Sequence, residues 1–150
     1  MIALACDHSA VDLKKEVMAL LDEKGLTYKD FGTYSTDSCD YPIYSARAAR
    51  AVANGECEKG IVICGTGIGV SLVANKVKGI RCALCGDPFS AEMSRRHNNA
   101  NMLAIGARVI GSELAKLIVK TWLETPYESD ERHARRINMI TAVENGEDLG

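Results

Sequence analysis

Three things are scarce in this sequence. Net charge is the first: 18 basic residues stand against 20 acidic ones and leave −2. That balance offers no field to hold a nucleic-acid backbone, so no nucleic-acid partner is expected. Long apolar runs are the second. None approaches the ~20 residues needed to span a bilayer, so no membrane association is expected. The third is any targeting pattern. A strand candidate, Ile2-Ala3-Leu4-Ala5-Cys6, begins at once, with no basic segment and no cleavage signal before it, which predicts a cytoplasmic protein. No internal repeat, low-complexity segment or dividing linker interrupts the 150 residues, so one domain is expected. The 47% hydrophobic and 25% charged content is that of a packed globular chain and excludes disorder.

Metal-binding patterns are also lacking. Six cysteines are present, Cys6, Cys39, Cys57, Cys64, Cys82 and Cys85. The chain is large enough to build a core without disulfides. Cys82-Ala83-Leu84-Cys85 is formally a CxxC, but it lies in a strand candidate. Residues three apart on a strand point to opposite faces and cannot share one metal. No second CxxC or HxxxH follows, so no metal site is predicted.

What is there is alternation. Strand candidates at 2–6, 27–31, 60–64, 81–85 and 102–105 interleave with helix candidates at 11–24, 42–54, 70–77, 88–98, 112–124 and 131–144. Leu13, Val17, Leu20, Leu21 and Lys24 form a 3.6-residue stripe on the first helix, with the lysine snorkelling at its end. Asp40-Tyr41-Pro42 and Asp87-Pro88 read as helix starts. Leu114, Leu117, Ile118 and Trp122 mark one face of the fifth helix. Gly60-Ile61-Val62-Ile63-Cys64 is the continuous apolar run of a strand covered on both sides. Strand–helix alternation with short linkers predicts parallel βαβ units with right-handed crossovers. The expected fold is α/β: a single-domain three-layer α/β/α sandwich on a five-stranded parallel, Rossmann-like sheet.

Ligands of such sheets bind beyond the carboxyl ends of the strands, near a topological switch point. Asp7-His8 follows the first strand. Cys64-Gly65-Thr66-Gly67-Ile68-Gly69 follows the third. The glycines let backbone N–H groups approach an anion; a βα turn without a ligand is the simpler alternative. A dinucleotide fingerprint would need glycine at position 70, which is Val70, and no Gly-Lys-Ser/Thr completes a Walker loop. Cys64 at the mouth of that loop is a candidate base or nucleophile, or a core thiol. Asp7 is otherwise a helix cap and His97 a histidine suited to a helix C-terminus. Arg132 and Arg136 lie four residues apart on the last helix. Like charges at that spacing repel, which a solvated face tolerates and a shared anion such as phosphate would offset.

Taken in order, Asp7-His8, Asp40-Tyr41-Pro42, Cys64 to Gly69, Ala74-Asn75-Lys76, Gly79-Ile80-Arg81, Arg95 to Asn98 and Arg132-His133 resemble the type B ribose-5-phosphate isomerases. That family also includes allose-6-phosphate and galactose-6-phosphate isomerases. The resemblance spans nearly the whole chain. It implies an aldose–ketose isomerase with no metal and no organic cofactor, acting on a phosphorylated aldose or ketose. Ribose 5-phosphate is the expected substrate, with a 6-phosphohexose such as allose 6-phosphate as the alternative. It implies a homodimer or homotetramer with sites shared between subunits, the C-terminal helix at about 131–144 serving the site or the interface. By the same resemblance Cys64 is the base that moves the proton between C1 and C2. Some relatives place a Glu six residues further on, where this chain has Val70. Thr66 and the amides of Gly65, Gly67, Ile68 and Gly69 would hold the enediolate oxygens. Asp7 and His97 would assist opening of the furanose ring. His8, Arg132 and Arg136 would bind phosphate, with Arg108 reaching in from a neighbouring subunit. Tyr41 and Asn98 would contact sugar hydroxyls. Two departures, Ala10 and the run Ser129-Asp130-Glu131, fall where relatives carry glycine and bear on which sugar phosphate fits. A non-catalytic sugar-phosphate module needs no base, so Cys64, Thr66 and His97 weigh against it. A thiol redox enzyme would need Cys6 or Cys85 to approach Cys64.

Overall fold

The computed structural model describes all 150 residues. Five strands form one wholly parallel sheet: β1 (Ile2–Cys6), β2 (Tyr28–Asp30), β3 (Lys59–Cys64), β4 (Cys82–Leu84) and β5 (Met102–Gly106). Six helices follow the strands: α1 (Val11–Glu23), α2 (Tyr41–Ala53), α3 (Ile68–Ala74), α4 (Pro88–Arg96), α5 (Ser112–Glu124) and α6 (Glu131–Glu144). The strand order is β2-β1-β3-β5-β4. Register runs Leu4 against Ile61 and Ile61 against Leu103 across the centre. The expected α/β sandwich is the observed fold.

Alternation along the strands makes two cores. Leu4, Cys6, Ile61, Ile63, Leu103 and Ile105 face α1 and α5, with Trp122 and Leu21 fully buried among them. Ala3, Ala5, Val62, Cys64 and Ala104 face α2 and α3. The second layer is rich in alanine, which lets Ala48 and Ala49 of α2 approach the sheet closely. Each large side chain withdrawn from water contributes about 1.5–3 kcal/mol. The edge strands β2 and β4 are only partly covered.

Four local readings change. Helix α3 starts at Ile68, two residues earlier than expected, because Gly67 at φ +79° serves as its N-cap in the left-handed region. Asp40 sits at the N-cap of α2 without a side-chain capping bond, whereas Asp87 accepts from the Ser90 N–H. The buried face of α5 is Ala115, Ile118, Val119 and Trp122; Leu117 is 50% exposed. On α1 it is Lys14, not Lys24, that goes inward. Its Nζ is buried and donates to Asp30 Oδ1 (2.7 Å) and to the Thr33 carbonyl (2.6 Å). The two partners offset its desolvation and hold the end of β2 beside β1. Lys24 instead pairs with Glu124.

Helix α6 stands apart from both cores. Only His133 of its 14 residues is buried. Ile140 and Val143 on its other turns are 47% and 57% exposed.

Candidate active site

The strand order sets the place of the site. The chain leaves β1 toward β2 on one side and returns to β3 on the other, so connections diverge at the carboxyl ends of β1 and β3. A crevice opens at such a point. Here it is a cleft of about 440 Å³ lined by Asp7 and His8 after β1, Cys64 to Thr66 after β3, and Tyr41, Ile68, Gly69 and Arg108.

Cys64 ends β3, is buried, and lies at the base of this cleft. The Gly67 N–H donates to its Sγ (3.1 Å). A donor aimed at sulfur is the arrangement that stabilises negative charge there. The same turn leaves other donors free. The N–H groups of Gly65 and Thr66 have no acceptor in the chain. The Thr66 hydroxyl accepts from the Ile68 N–H (3.2 Å), so its own proton is available to a ligand. Two glycines make this geometry possible. Gly67 has φ +79°. At Gly69 a Cβ would stand 2.6 Å from the Tyr41 ring, so only glycine lets that ring lie across the loop.

Asp7 is 8% exposed, and its Oδ1 accepts from both the Ser9 N–H (3.0 Å) and the Ser9 hydroxyl (2.6 Å). One carboxylate oxygen is thus committed and the other remains. The Cys39 N–H donates to His8 Nδ1 (3.2 Å). That bond requires a lone pair on Nδ1, so the neutral ring carries its proton on Nε2, a donor for a hydroxyl or phosphate oxygen.

Arg108 was expected from a neighbouring subunit, and the placement differs. It lines the cleft of its own chain. Its N–H donates to the Gly65 carbonyl (2.9 Å), and its side chain passes within contact of Gly65, where an added Cβ would meet Cδ at 3.4 Å. Four other expected residues lie apart from the cleft. His97 is the C-cap of α4, exposed, its ring stacked on His133 with centroids 4.5 Å apart. Asn98 is exposed beside it, and Arg132 and Arg136 are exposed on α6. Neither arginine forms an ion pair. Asp130 Oδ1 caps the His133 N–H (2.7 Å), the bond that does most to hold its carboxyl below the usual range, with the nearby Arg132 charge adding to the effect.

Ser9 and Leu72 also line the cleft and were not foreseen. Ser9 directly follows Asp7-His8, and a short hydroxyl two residues after an Asp is a signal for such a turn. The thiol-redox alternative fails on geometry. Cys6 and Cys85 belong to the α1–α5 face of the sheet and Cys64 to the α2–α3 face. Burial pushes the Cys6 and Cys85 thiols up to about 11, so neither is poised to react. Cys82 and Cys85 also fall in different layers, as alternation along a strand requires.

Among known proteins, the family model described as Ribose/Galactose Isomerase matches residues 2–140. Ribose-5-phosphate isomerase B of Escherichia coli is 51% identical over 143 residues, covering 95% of each chain. The solved structure of ribose-5-phosphate isomerase B from Clostridium thermocellum superposes with a TM-score of 0.95 at 47% identity, covering 97% of each chain. The enzyme of the same description from Mycoplasma genitalium, solved with bound ribulose 5-phosphate, reaches a TM-score of 0.90 at 37% identity, with 96% of this chain and 95% of that one covered. A match over nearly the full length, on the same fold, places the chain in the ribose/galactose isomerase family.

Proposed function

We propose that this chain is a sugar-phosphate isomerase that interconverts ribose 5-phosphate and ribulose 5-phosphate through an enediolate. The observation that carries the reading is the Cys64 thiol. It sits at the base of the switch-point cleft with the Gly67 N–H on its sulfur and the free Gly65 and Thr66 N–H groups beside it. In the open-chain aldose, the Cys64 thiolate takes the C2 proton and returns it to C1, while a proton passes from O2 to O1. Charge develops on these oxygens only as the C2 proton leaves. The Thr66 hydroxyl and the free N–H groups of Gly65 and Thr66 are the donors proposed to meet it, the Gly67 and Ile68 N–H groups being engaged by Cys64 Sγ and the Thr66 hydroxyl, and in other enzymes one such donor lowers the barrier by about 3–4 kcal/mol. Asp7 and His97 open the furanose ring. His8, Arg108, Arg132 and Arg136 bind phosphate, and Tyr41 and Asn98 contact the hydroxyls. Neither metal nor organic cofactor has a part in this scheme.

The working unit proposed is a homodimer, or a homotetramer, built from one domain of residues 1–150. Supporting this, His97, Asn98, Arg132 and Arg136 lie away from the Cys64 cleft of their own chain, and α6 carries exposed Ile140 and Val143. A second copy that lays its α4 and α6 ends over the cleft would unite the two halves. The proposed setting is the cytoplasm, in keeping with six free thiols. No helix is long and apolar enough to cross a membrane.

The reading is tested by kcat/KM for ribose 5-phosphate and allose 6-phosphate measured side by side. Ribose 5-phosphate should be turned over the more efficiently; preference for the hexose would move the assignment within the family, and absence of both activities would refute it. The arginine pair gives a second test. Arg132→Ala or Arg136→Ala should raise KM for the phosphorylated sugar by about 1.5–3 kcal/mol, the scale of one charged hydrogen bond. Some kcat should go as well, since remote binding energy orients the reacting carbons. Unphosphorylated ribose should be almost insensitive. Equal proportional losses on both substrates would mean that the arginines hold the fold or the interface.

A further inference from the structure

We propose that Arg81 is a positioning residue that acts on the reaction through the turn bearing His97. The proposal rests on the reading of His97 as a group of the isomerase site. Arg81 stands just before β4, and its own backbone is anchored on both sides. Its N–H donates to Asn101 Oδ1 (2.8 Å), and its carbonyl accepts from the N–H groups of Asn101 (3.1 Å) and Met102 (3.2 Å). From this base the guanidinium reaches the end of α4. Nε donates to the Asn98 carbonyl (3.0 Å) and Nη2 to the Asn99 carbonyl (2.9 Å).

Asn99 has φ +46°, the single non-glycine residue with positive φ in the chain, a conformation that asparagine adopts more readily than other L residues. Arg95 grips the same turn from below, with Nη1 donating to Asn99 Oδ1 (2.9 Å) and to the Ala100 carbonyl (2.6 Å). The Asn99 side chain is held by Arg95, whereas those of His97 and Asn98 are less constrained. Neither the His97 ring nor the Asn98 amide makes a hydrogen bond within the chain, and the His97 ring lies against the His133 ring. Where His97 stands therefore depends on the backbone of this turn, which Arg81 pins on its Asn98–Asn99 side.

The charge of Arg81 points the same way. It is half-buried and forms no ion pair. Burying this cation costs free energy that Glu144, near it but not in salt-bridge contact, offsets only in part, and an apolar residue would remove that cost. Two carbonyls of successive residues match the planar fork of a guanidinium, which the single ammonium of lysine cannot reproduce.

The test uses Arg81→Lys, which keeps the charge and loses the fork, and Arg81→Gln as a second variant, both in the full chain. Each should lower kcat on ribose 5-phosphate by about 10- to 100-fold, the scale of a 1 Å misplacement of a reacting group. KM should change far less, and melting temperature and sedimentation should stay near wild type. In a His97→Ala background, adding Arg81→Lys should cost no more than about a further threefold, because the group it positions is already gone. Wild-type kcat in both Arg81 variants overturns the proposal. So does an undiminished loss in the His97→Ala background, which would make Arg81 a general structural residue. If His97→Ala alone turns over like wild type, the reading of His97 fails and this inference falls with it; if His97→Ala is impaired and the Arg81 variants are not, this inference alone fails.

Discussion

Cys64→Ala should lose isomerisation almost completely, with kcat falling by at least about 10²–10⁴-fold, the range that a positioned acid or base supplies. The loss follows from chemistry rather than folding. The side chain removed is one sulfur at the carboxyl end of β3, and the ladder through Cys64 is made by backbone, including the Ala107 N–H on the Cys64 carbonyl (2.8 Å). The cleft walls contributed by Asp7, His8, Thr66 and Arg108 remain, so ribulose 5-phosphate should still bind. Cys57→Ala is the matched control. Cys57 is equally buried but lies before β3, at the opposite end of the sheet from the cleft. Turnover near wild type in Cys64→Ala would remove Cys64 as the base. Loss of sugar-phosphate binding together with turnover would make it a structural thiol.

Two inactive variants should restore each other. Cys64→Ala removes the base from one half of the site and His97→Ala disables the other half. If each site takes Cys64 from one chain and His97 from a second, a mixed dimer holds one intact site and one doubly damaged site. Unfolding and refolding the two variants together at equal concentration should therefore recover about one quarter of wild-type kcat per chain, from random pairing in a two-fold dimer. Refolding either variant alone should recover no more than its own residual activity, well below that level. The expectation rests on distance within the chain: His97 and Asn98 cap α4 and Arg132 and Arg136 stand on α6, none of them on the Cys64 cleft. Failure of the mixture to regain activity, with dimers present by sedimentation, would show that each chain completes its own site. Arg108 does not enter this argument, because it already lies over Gly65 in its own chain.

Much of this protein is legible in its residues. The continuous apolar run at Gly60–Cys64 and the amphipathic stripe of α1 are local properties, and local propensity and burial agree there. The helix start at Asp87 is equally local, since its side chain caps the Ser90 N–H three residues on. Where the reading slipped, a distant partner decided. Leu114 and Leu117 look like core on α5, but the sheet presents its face to Ala115, Ile118 and Val119. Lys14 has the composition of a solvent-facing residue and is buried, because Asp30 and the Thr33 carbonyl, far along the chain, wait for it.

The site divides in the same way. Sequence alone determined the chemical inventory: a thiol beside a glycine loop, an Asp-His pair after β1, and two arginines one helical turn apart. These follow from residue type and spacing along single elements. Only the tertiary structure decided which of them meet. The order β2-β1-β3-β5-β4 puts the ends of β1 and β3 side by side, which joins Asp7 to Cys64 across a crevice that no local pattern encodes. It also brings Arg108 home to its own chain and leaves His97, Arg132 and Arg136 outside the cleft. Strand order is set by which buried faces cover one another, a balance summed over the whole core, and so it cannot be read from any one segment.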